Sequence, residues 1–488
     1  MAVGTWGIPH PTGYPTFVLI GRLFTLLPLG DMAYRINLMS ALLGASAVAL
    51  IFLTILCLQS YLERQEVTAN APSLIAAGVA SVSLAFAPIF WSQALIAEVY
   101  VPTAFFAALL LFLVVFWSRV AIHTNPHPSP WWMGGIGLTL GAGLGLHPTL
   151  VFLTPLVLYP LVRQRGAITP KGAMLGIAMF LIGLSVYVYL PLRAMFNPPV
   201  NWGGPSGLEG FLWQVTGAPY RQNVLGVPLQ FIPGRVLGWA GLMLQQFNAL
   251  GIILGLVGWS YLWNRDKGIF VAGLISFLLF AAYSITYNTS DSYVYLIPSI
   301  MIYSLAIGAG IYVIWMRYIL PWLLQGRTTW QLGINVGLAA IFLALLLPGF
   351  SLYRNFPEMD ISRDRSALSY GERAFSSAAP DSLILADTDP HIFALWYYRY
   401  VVQPQSTVKV VAKPLLQYSW YRAHLSRTMR EAVPDALPDD YSLAVLALLR
   451  YNLAKREVYL TRDDDALLTG FELVRKEPLF LLKAPSSP

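Results

Sequence analysis

The chain has 488 residues, 56% of them hydrophobic and only 11% charged, with a mean hydropathy of +0.59. An ordinary soluble domain carries roughly 25% charged residues, so this composition excludes one and points to a polytopic α-helical membrane protein. The formal charge of +7 falls entirely in residues 1–349, with 14 Lys and Arg against 7 Asp and Glu, while 350–488 hold 17 of each. A basic excess confined to loops between apolar runs is a topology signal and argues against a nucleic-acid partner.

Residues 1–35 open on Pro9-His10-Pro11-Thr12-Gly13-Tyr14-Pro15, where three prolines and a glycine set an irregular, rigid loop. The apolar stretch 15–29 is too short to span and carries Arg22, which suits a helix lying in the membrane interface. A helix needs about 20 apolar residues to cross a hydrocarbon core of about 30 Å. Candidate spans are 36–58, 72–90, 102–118, 132–146, 148–162, 172–192, 237–262, 268–287, 295–315 and 331–349, with 132–162 read as a tight pair around His147-Pro148. The transmembrane domain is thus expected over 36–349, with 193–236 as a long outer loop.

Arg64, Arg119, Arg163, Arg165, Lys171, Arg265, Lys267, Arg317 and Arg327 gather on one side of these spans, which the positive-inside rule makes cytoplasmic. Residues 350–488 are then extracytoplasmic, and they read as α/β: SLILA (382–386) and VKVVA (408–412) are short apolar strands flanking a helix at 391–402. Cys57, the single cysteine, lies in an apolar run, so no disulfide forms within the chain.

Ionisable residues avoid the middle of the spans and collect at their outer ends. Transporters and proton relays place such groups near the midplane, so this pattern favours an enzyme with a lipid-borne substrate. Glu98 is the only carboxylate between residues 67 and 208 and suits a base, a sugar contact or an ion pair tying two helices. His10 and Tyr14 can hydrogen-bond a sugar or phosphate that Arg22 or Arg35 would pair with; a structural turn with snorkelling arginines is the plainer alternative. His147 is a ligand or a packed histidine, and Asp291 a site residue or a solvated turn acid. Arg193, Asn201, Trp202, Trp213, Tyr220 and Arg221 suit sugar stacking and phosphate clamping, or an interfacial aromatic belt. In the tail, Asp389 reads as a helix cap more readily than as half of a metal pair with Asp387. No metal-ligand spacing, Walker loop, nucleophile elbow or dinucleotide fingerprint occurs.

Taken in order, His10-Pro11-Thr12-Gly13-Tyr14-Pro15, Arg35-Ile36-Asn37-Leu38, Trp91-Ser92-Gln93 with Glu98-Val99-Tyr100, Tyr189-Leu190-Pro191-Leu192-Arg193-Ala194 and Asn201-Trp202-Gly203 resemble one membrane family. It was long filed as a domain of unknown function, its animal member is a protein O-mannosyltransferase, and it belongs to the GT-C superfamily of glycosyltransferases. Asp387-Thr388-Asp389 and Leu395-Trp396-Tyr397-Tyr398 also look like that family's extracytoplasmic region.

The resemblance implies a GT-C-like fold and transfer of a sugar, such as mannose, from a polyprenyl-phosphate donor in the membrane lipid to a hydroxyl of an acceptor protein or glycan. No cofactor or metal is implied. A carboxylate would serve as general base and arginines would hold the leaving phosphate. Among the residues present, and apart from the family's own acid, Glu98 and His10 are the expected catalytic residues, with Tyr14, Arg35, Asn37, Gln93, Tyr100, His147, Arg193, Asn201, Trp202 and Asp291 as substrate contacts. The family normally carries one more helix and an acidic motif ahead of the His-Pro loop. Met1 is therefore expected to be an internal methionine of a longer product, and no residue here inherits that acid's role. The rival readings are a transporter or lipid flippase and a non-catalytic glycolipid-binding homologue. The absence of disulfides and retention signals suggests a bacterial plasma membrane.

Overall fold

The computed structural model describes residues 1–64, 70–324, 330–463, 467 and 471–483. In chain order its principal helices begin with α1 (Pro15–Phe24), α2 (Met32–Glu63), α3 (Ala71–Ala85), α4 (Pro88–Ala94), α5 (Tyr100–His123), α6 (Trp131–Leu144), α7 (Thr154–Arg163) and α8 (Pro170–Leu184). They continue with α9 (Leu208–Val215), α10 (Ile232–Arg265), α11 (Lys267–Thr286), α12 (Ile297–Ile314) and α13 (Trp330–Met359). The C-terminal part holds α14 (Ser366–Ser377), β1 (Leu383–Ala386), α15 (Asp389–Tyr397), β2 (Lys409–Ala412), α16 (Ser419–Thr428), α17 (Tyr441–Leu453), β3 (Val458–Leu460), β4 (Glu472–Lys476) and β5 (Leu479–Lys483).

Local chemistry sets many of these starts. Asp31, Asn70, Thr169 and Asp266 accept backbone N–H groups at the beginnings of α2, α3, α8 and α11, satisfying donors that have no helical partner. Two compact units result: Leu27–Tyr187 with Pro219–Ile361, and Met1–Leu26 with Val188–Ala218 and Ser362–Pro488. The segment read as one outer loop, 193–236, is therefore divided between them.

The first is a multi-pass membrane unit. Among the described residues, six helical stretches are long and apolar enough to cross a bilayer: Met32–Glu63, Tyr100–His123, Pro170–Ala194, Leu229–Arg265, Lys267–Thr286 and Ser292–Trp322. The pair α3 and α4, bent by 66° ahead of Pro88, makes a seventh if taken as one broken span. Of the ten expected spans, 132–146 and 148–162 take the form of α6, with 14 residues, and a short apolar helix over Pro148–Arg163. The candidate 331–349 falls in α13, and most of the side chains in that range lie outside the described residues.

Small residues set two of the helix contacts. A Cβ on Gly137 would stand 2.0 Å from the Gly176 carbonyl oxygen, and one on Gly141 2.2 Å from that of Phe180, so α6 and α8 meet backbone to backbone. Gly258 and Gly310 do the same for α10 and α12, where a Cβ would come within 1.7 Å of Ala306 O and 2.0 Å of Leu254 O. Within α10, Asn248 leaves the helical region at φ 48° and ψ −176°, and its side-chain oxygen caps Leu250 N at 2.9 Å and Gly251 N at 3.3 Å.

The second unit is built on a five-stranded sheet in the order β2-β1-β3-β5-β4. β1 runs parallel to β2 and β3, and β5 antiparallel to β3 and β4. β1 is buried along its whole length, and the expected strands and intervening helix are present. Parallel neighbours require a crossover, which α15 supplies between β1 and β2 and α16 with α17 between β2 and β3. Residues from the chain's start join this unit: Ile8 N donates to Val200 O at 2.7 Å and Trp202 N to Ile8 O at 3.1 Å. Thr388 occupies the N-cap of α15, with Asp389 in the first turn, and Asp387 pairs with Lys413 at 2.9 Å.

Candidate functional site

In the helical unit, the starts of α5, α7, α10 and α12 and the end of α11 form one end, and the expected residues Glu98, Tyr100, His147 and Asp291 all fall there. The α4–α5 connection is a tight turn, with Glu98 N donating to Ile96 O at 2.9 Å, so the carboxylate stands just ahead of a helix start. Glu98 keeps exposed surface although protein crowds round it. Burial pushes its carboxyl above the ordinary range and the negative charge of Asp291 adds to this; a hydrogen bond from the Val99 backbone opposes them. Neither Glu98 nor Asp291 forms an ion pair within 4.0 Å among the described residues.

An aromatic lattice lines the same end. The Tyr295 ring lies 5.7 Å from Tyr100, 5.4 Å from His147, 5.0 Å from Tyr283 and 5.3 Å from Tyr287. His147 Nδ1 accepts the Thr149 backbone N–H at 3.3 Å, so a neutral ring carries its proton on Nε2. Sequence reading passed over Tyr283, Tyr287 and Tyr295; the run Tyr287, Tyr293, Tyr295 around Asp291 was the available signal.

It also left Arg235 out of the site. That guanidinium donates to Ile285 O at 3.2 Å, Tyr287 O at 2.6 Å and Ser292 Oγ at 3.3 Å, gripping both sides of the turn that carries Asp291. Ser284 Oγ reinforces it by donating to Ser292 O at 2.8 Å. A cavity of 560 Å³ opens on Arg235 and Asn288, with Val227, Pro228 and Phe231 as apolar wall. Gln93, in the last turn of α4, is buried, and among the described residues its side-chain oxygen has no hydrogen-bond partner, a costly state for a buried polar atom. Arg35 donates to Leu29 O at 2.8 Å and Gly30 O at 3.1 Å, near the start of α2, and Asn37 follows it on that helix.

The remaining expected residues belong to the α/β unit. His10 Nδ1 lies 3.0 Å from Pro11 O, a distance at which the nitrogen must donate. Tyr14 donates to the same carbonyl at 3.0 Å and packs edge-on to His10 at 5.1 Å. Trp202 sits among His10, Phe393, Trp396 and Trp420, with centroids 5.9–6.4 Å away, and neighbouring Asn201 is buried. Arg193 donates to Trp6 O at 2.8 Å and covers Phe196. Among the described residues no three His, Cys, Asp or Glu side chains stand close enough to hold a metal ion.

A multi-pass helical unit with its polar groups at helix ends, carried in one chain with an α/β unit, defines the class: a polytopic membrane protein with an ArnT-like fold. Solved structures agree. The chain is similar to ArnT from Cupriavidus metallidurans, crystallised with undecaprenyl phosphate, at a TM-score of 0.54 and 12% identity over 99% of this chain and 90% of that one. Residues 1–168 match the family described as the Protein O-mannosyl-transferase TMEM260 N-terminal domain.

Two curated relatives carry the same name. The Mus musculus protein O-mannosyl-transferase TMEM260 is 32% identical over 209 residues, 42% of this chain and 28% of that protein. The Dictyostelium discoideum protein is 22% identical over 502 residues, 94% of this chain and 59% of that protein. The chain thus spans less than two thirds of either. Both relatives are eukaryotic, so they lend no support to the expected bacterial plasma membrane.

Proposed function

We propose that this chain is a membrane glycosyltransferase, moving a sugar, mannose by the relatives' name, from a polyprenyl-phosphate donor to an acceptor hydroxyl. The observation that carries the reading is Glu98, a carboxylate ahead of a helix start that keeps exposed surface, is raised by burial and by Asp291, and has no cation paired to it among the described residues. A carboxylate relieved by protonation is a stronger base than a salt-bridged one. The acceptor hydroxyl would give its proton to Glu98 as its oxygen attacks the anomeric carbon. The bond from that carbon to the phosphate oxygen breaks, and the lipid phosphate departs with the electron pair.

Arg235, with apolar Val227, Pro228 and Phe231 around one cavity, supplies the pairing a lipid-borne phosphate needs: a cation and a greasy wall. The undecaprenyl phosphate held by the structurally similar ArnT supports this choice of donor. The tyrosine lattice with His147 offers faces on which a sugar can stack. The Lys and Arg distribution supports an extracytoplasmic location for this end.

The test is transfer of radiolabelled mannose from polyprenyl-phosphate mannose in membranes carrying the chain, compared with Glu98→Gln. A loss of about 100-fold or more would support the reading. Undiminished transfer by the variant would remove Glu98 from the reaction, and no transfer from any polyprenyl-phosphate sugar by the folded protein would overturn the function.

A further inference from the structure

The α/β unit holds a separate concavity of 630 Å³, inside the range of small-molecule sites. Its floor is Val408 and Lys409 at the start of β2, one rim is Asn197 and Pro199, and the other is the end of α16 from Arg427 to Glu431.

Half of its six charged side chains, Asp381, Lys409 and Arg399, are already engaged. Asp381 is neutralised by Lys409 and by Arg456 at 2.8 Å. Arg399 donates to Val408 O at 3.0 Å and Pro404 O at 2.8 Å while covering Tyr400. Two exposed guanidiniums remain. Arg427 makes one hydrogen bond, to Asn197 Oδ1 at 3.1 Å, and Arg430 has no ion pair within 4.0 Å among the described residues. Against them stand Glu431 and the carbonyl end of α16, which counts for only about half a negative charge. A net cationic field is left over a recess that also offers hydroxyls from Ser406 and Thr407 and apolar surface from Pro199 and Met429.

We infer that this recess binds an anionic carbohydrate, a sugar carrying a phosphoryl or carboxyl group. The planar guanidinium forks match either anion, Glu431 and the hydroxyls match sugar hydroxyl groups, and the apolar patches match the C–H faces of the ring. An acidic peptide would use the arginines alone and leave Glu431 facing like charge. The site is separate from the Glu98 end and does not depend on transfer.

Isothermal titration of the purified full chain in detergent tests it, with mannose 6-phosphate and glucuronate as probes. Mannose, inorganic phosphate and an acidic heptapeptide serve as comparisons. Saturable binding of either probe, tighter than all three comparisons, supports the site, and whichever probe binds better names the anion. The Arg427→Ala, Arg430→Ala double variant should weaken binding about tenfold or more, with an unchanged melting midpoint. Should that variant fail to fold, the single exposed change Arg430→Glu should weaken it likewise. No saturable binding, equal binding of phosphate, peptide or neutral mannose, or full affinity in a folded variant would overturn the proposal.

Discussion

At one end of the helical unit Glu63 and Asp266 each hold a guanidinium and a phenol; at the other, Glu98 and Asp291 hold neither among the described residues. Glu63 accepts from Tyr261 and takes Arg265 through both oxygens at 2.9 and 2.8 Å. Asp266, nearly buried, accepts from Tyr159 at 2.6 Å, pairs with Arg163 at 3.0 Å and caps α11. These contacts tie together the last turns of α2, α7 and α10 and the first turn of α11. A carboxylate so fully satisfied has no capacity left for a reacting proton. One charge type therefore does mechanical work at one end and remains chemically available at the other.

The comparison breaks most sharply on matched variants. Glu98→Gln should cut transfer by about 100-fold or more while leaving the melting midpoint unchanged or higher, because an unpaired carboxylate is removed. Asp266→Asn should do the reverse, costing about 2–3 kcal/mol in denaturant unfolding through the lost pair and cap, with transfer kept per folded molecule. An Asp266 variant that is stable but inactive would place chemistry at the wrong end.

Arg235→Ala should lower kcat/KM about tenfold, since it releases the Asp291 turn and removes the cavity's cation, and Arg235→Lys should restore only part. The smallest effect is a shift in pH profile. Transfer needs ionised Glu98, so its rate should fall as pH drops through that group's raised pKa. Asp291→Asn removes the like charge, lowers the Glu98 pKa and moves the acid limb to lower pH. A limb that stays in place would show that Asp291 does not act on the base.

Much of the fold was legible because membrane spans and buried strands announce themselves as apolar runs. SLILA became β1 and VKVVA became β2 almost residue for residue. The shortness of α6 was legible too, as half of the tight 132–162 pair, but the work of its glycines was not. Its glycines are as apolar as a spanning run, and only the partner helix reveals that they serve close contact. Division of 193–236 between two units could not be read either, since it depends on Ile8 meeting Val200, almost two hundred residues away. The same limit governs the site. Glu98, Tyr100, His147 and Asp291 were singled out by type and meet in space, but His10, Tyr14 and Arg193, equally eligible by type, fall in the α/β unit, where each contacts a backbone carbonyl. Arg235 escaped notice because its value lies in three acceptors around residues 285–292, none of them predictable from spacing along the chain.

The discontinuity at Asn248 makes α10 two mechanical members rather than one beam. The length beyond it is bolted to α12 at Gly258 and Gly310, and the length before it carries Arg235. Flexure concentrates where a hydrogen-bond ladder is interrupted, so displacement at the Arg235 end is taken up at a single joint and the bolted seam stays still. Hydrogen exchange should register the joint as an abrupt step in protection midway along an otherwise continuous helix.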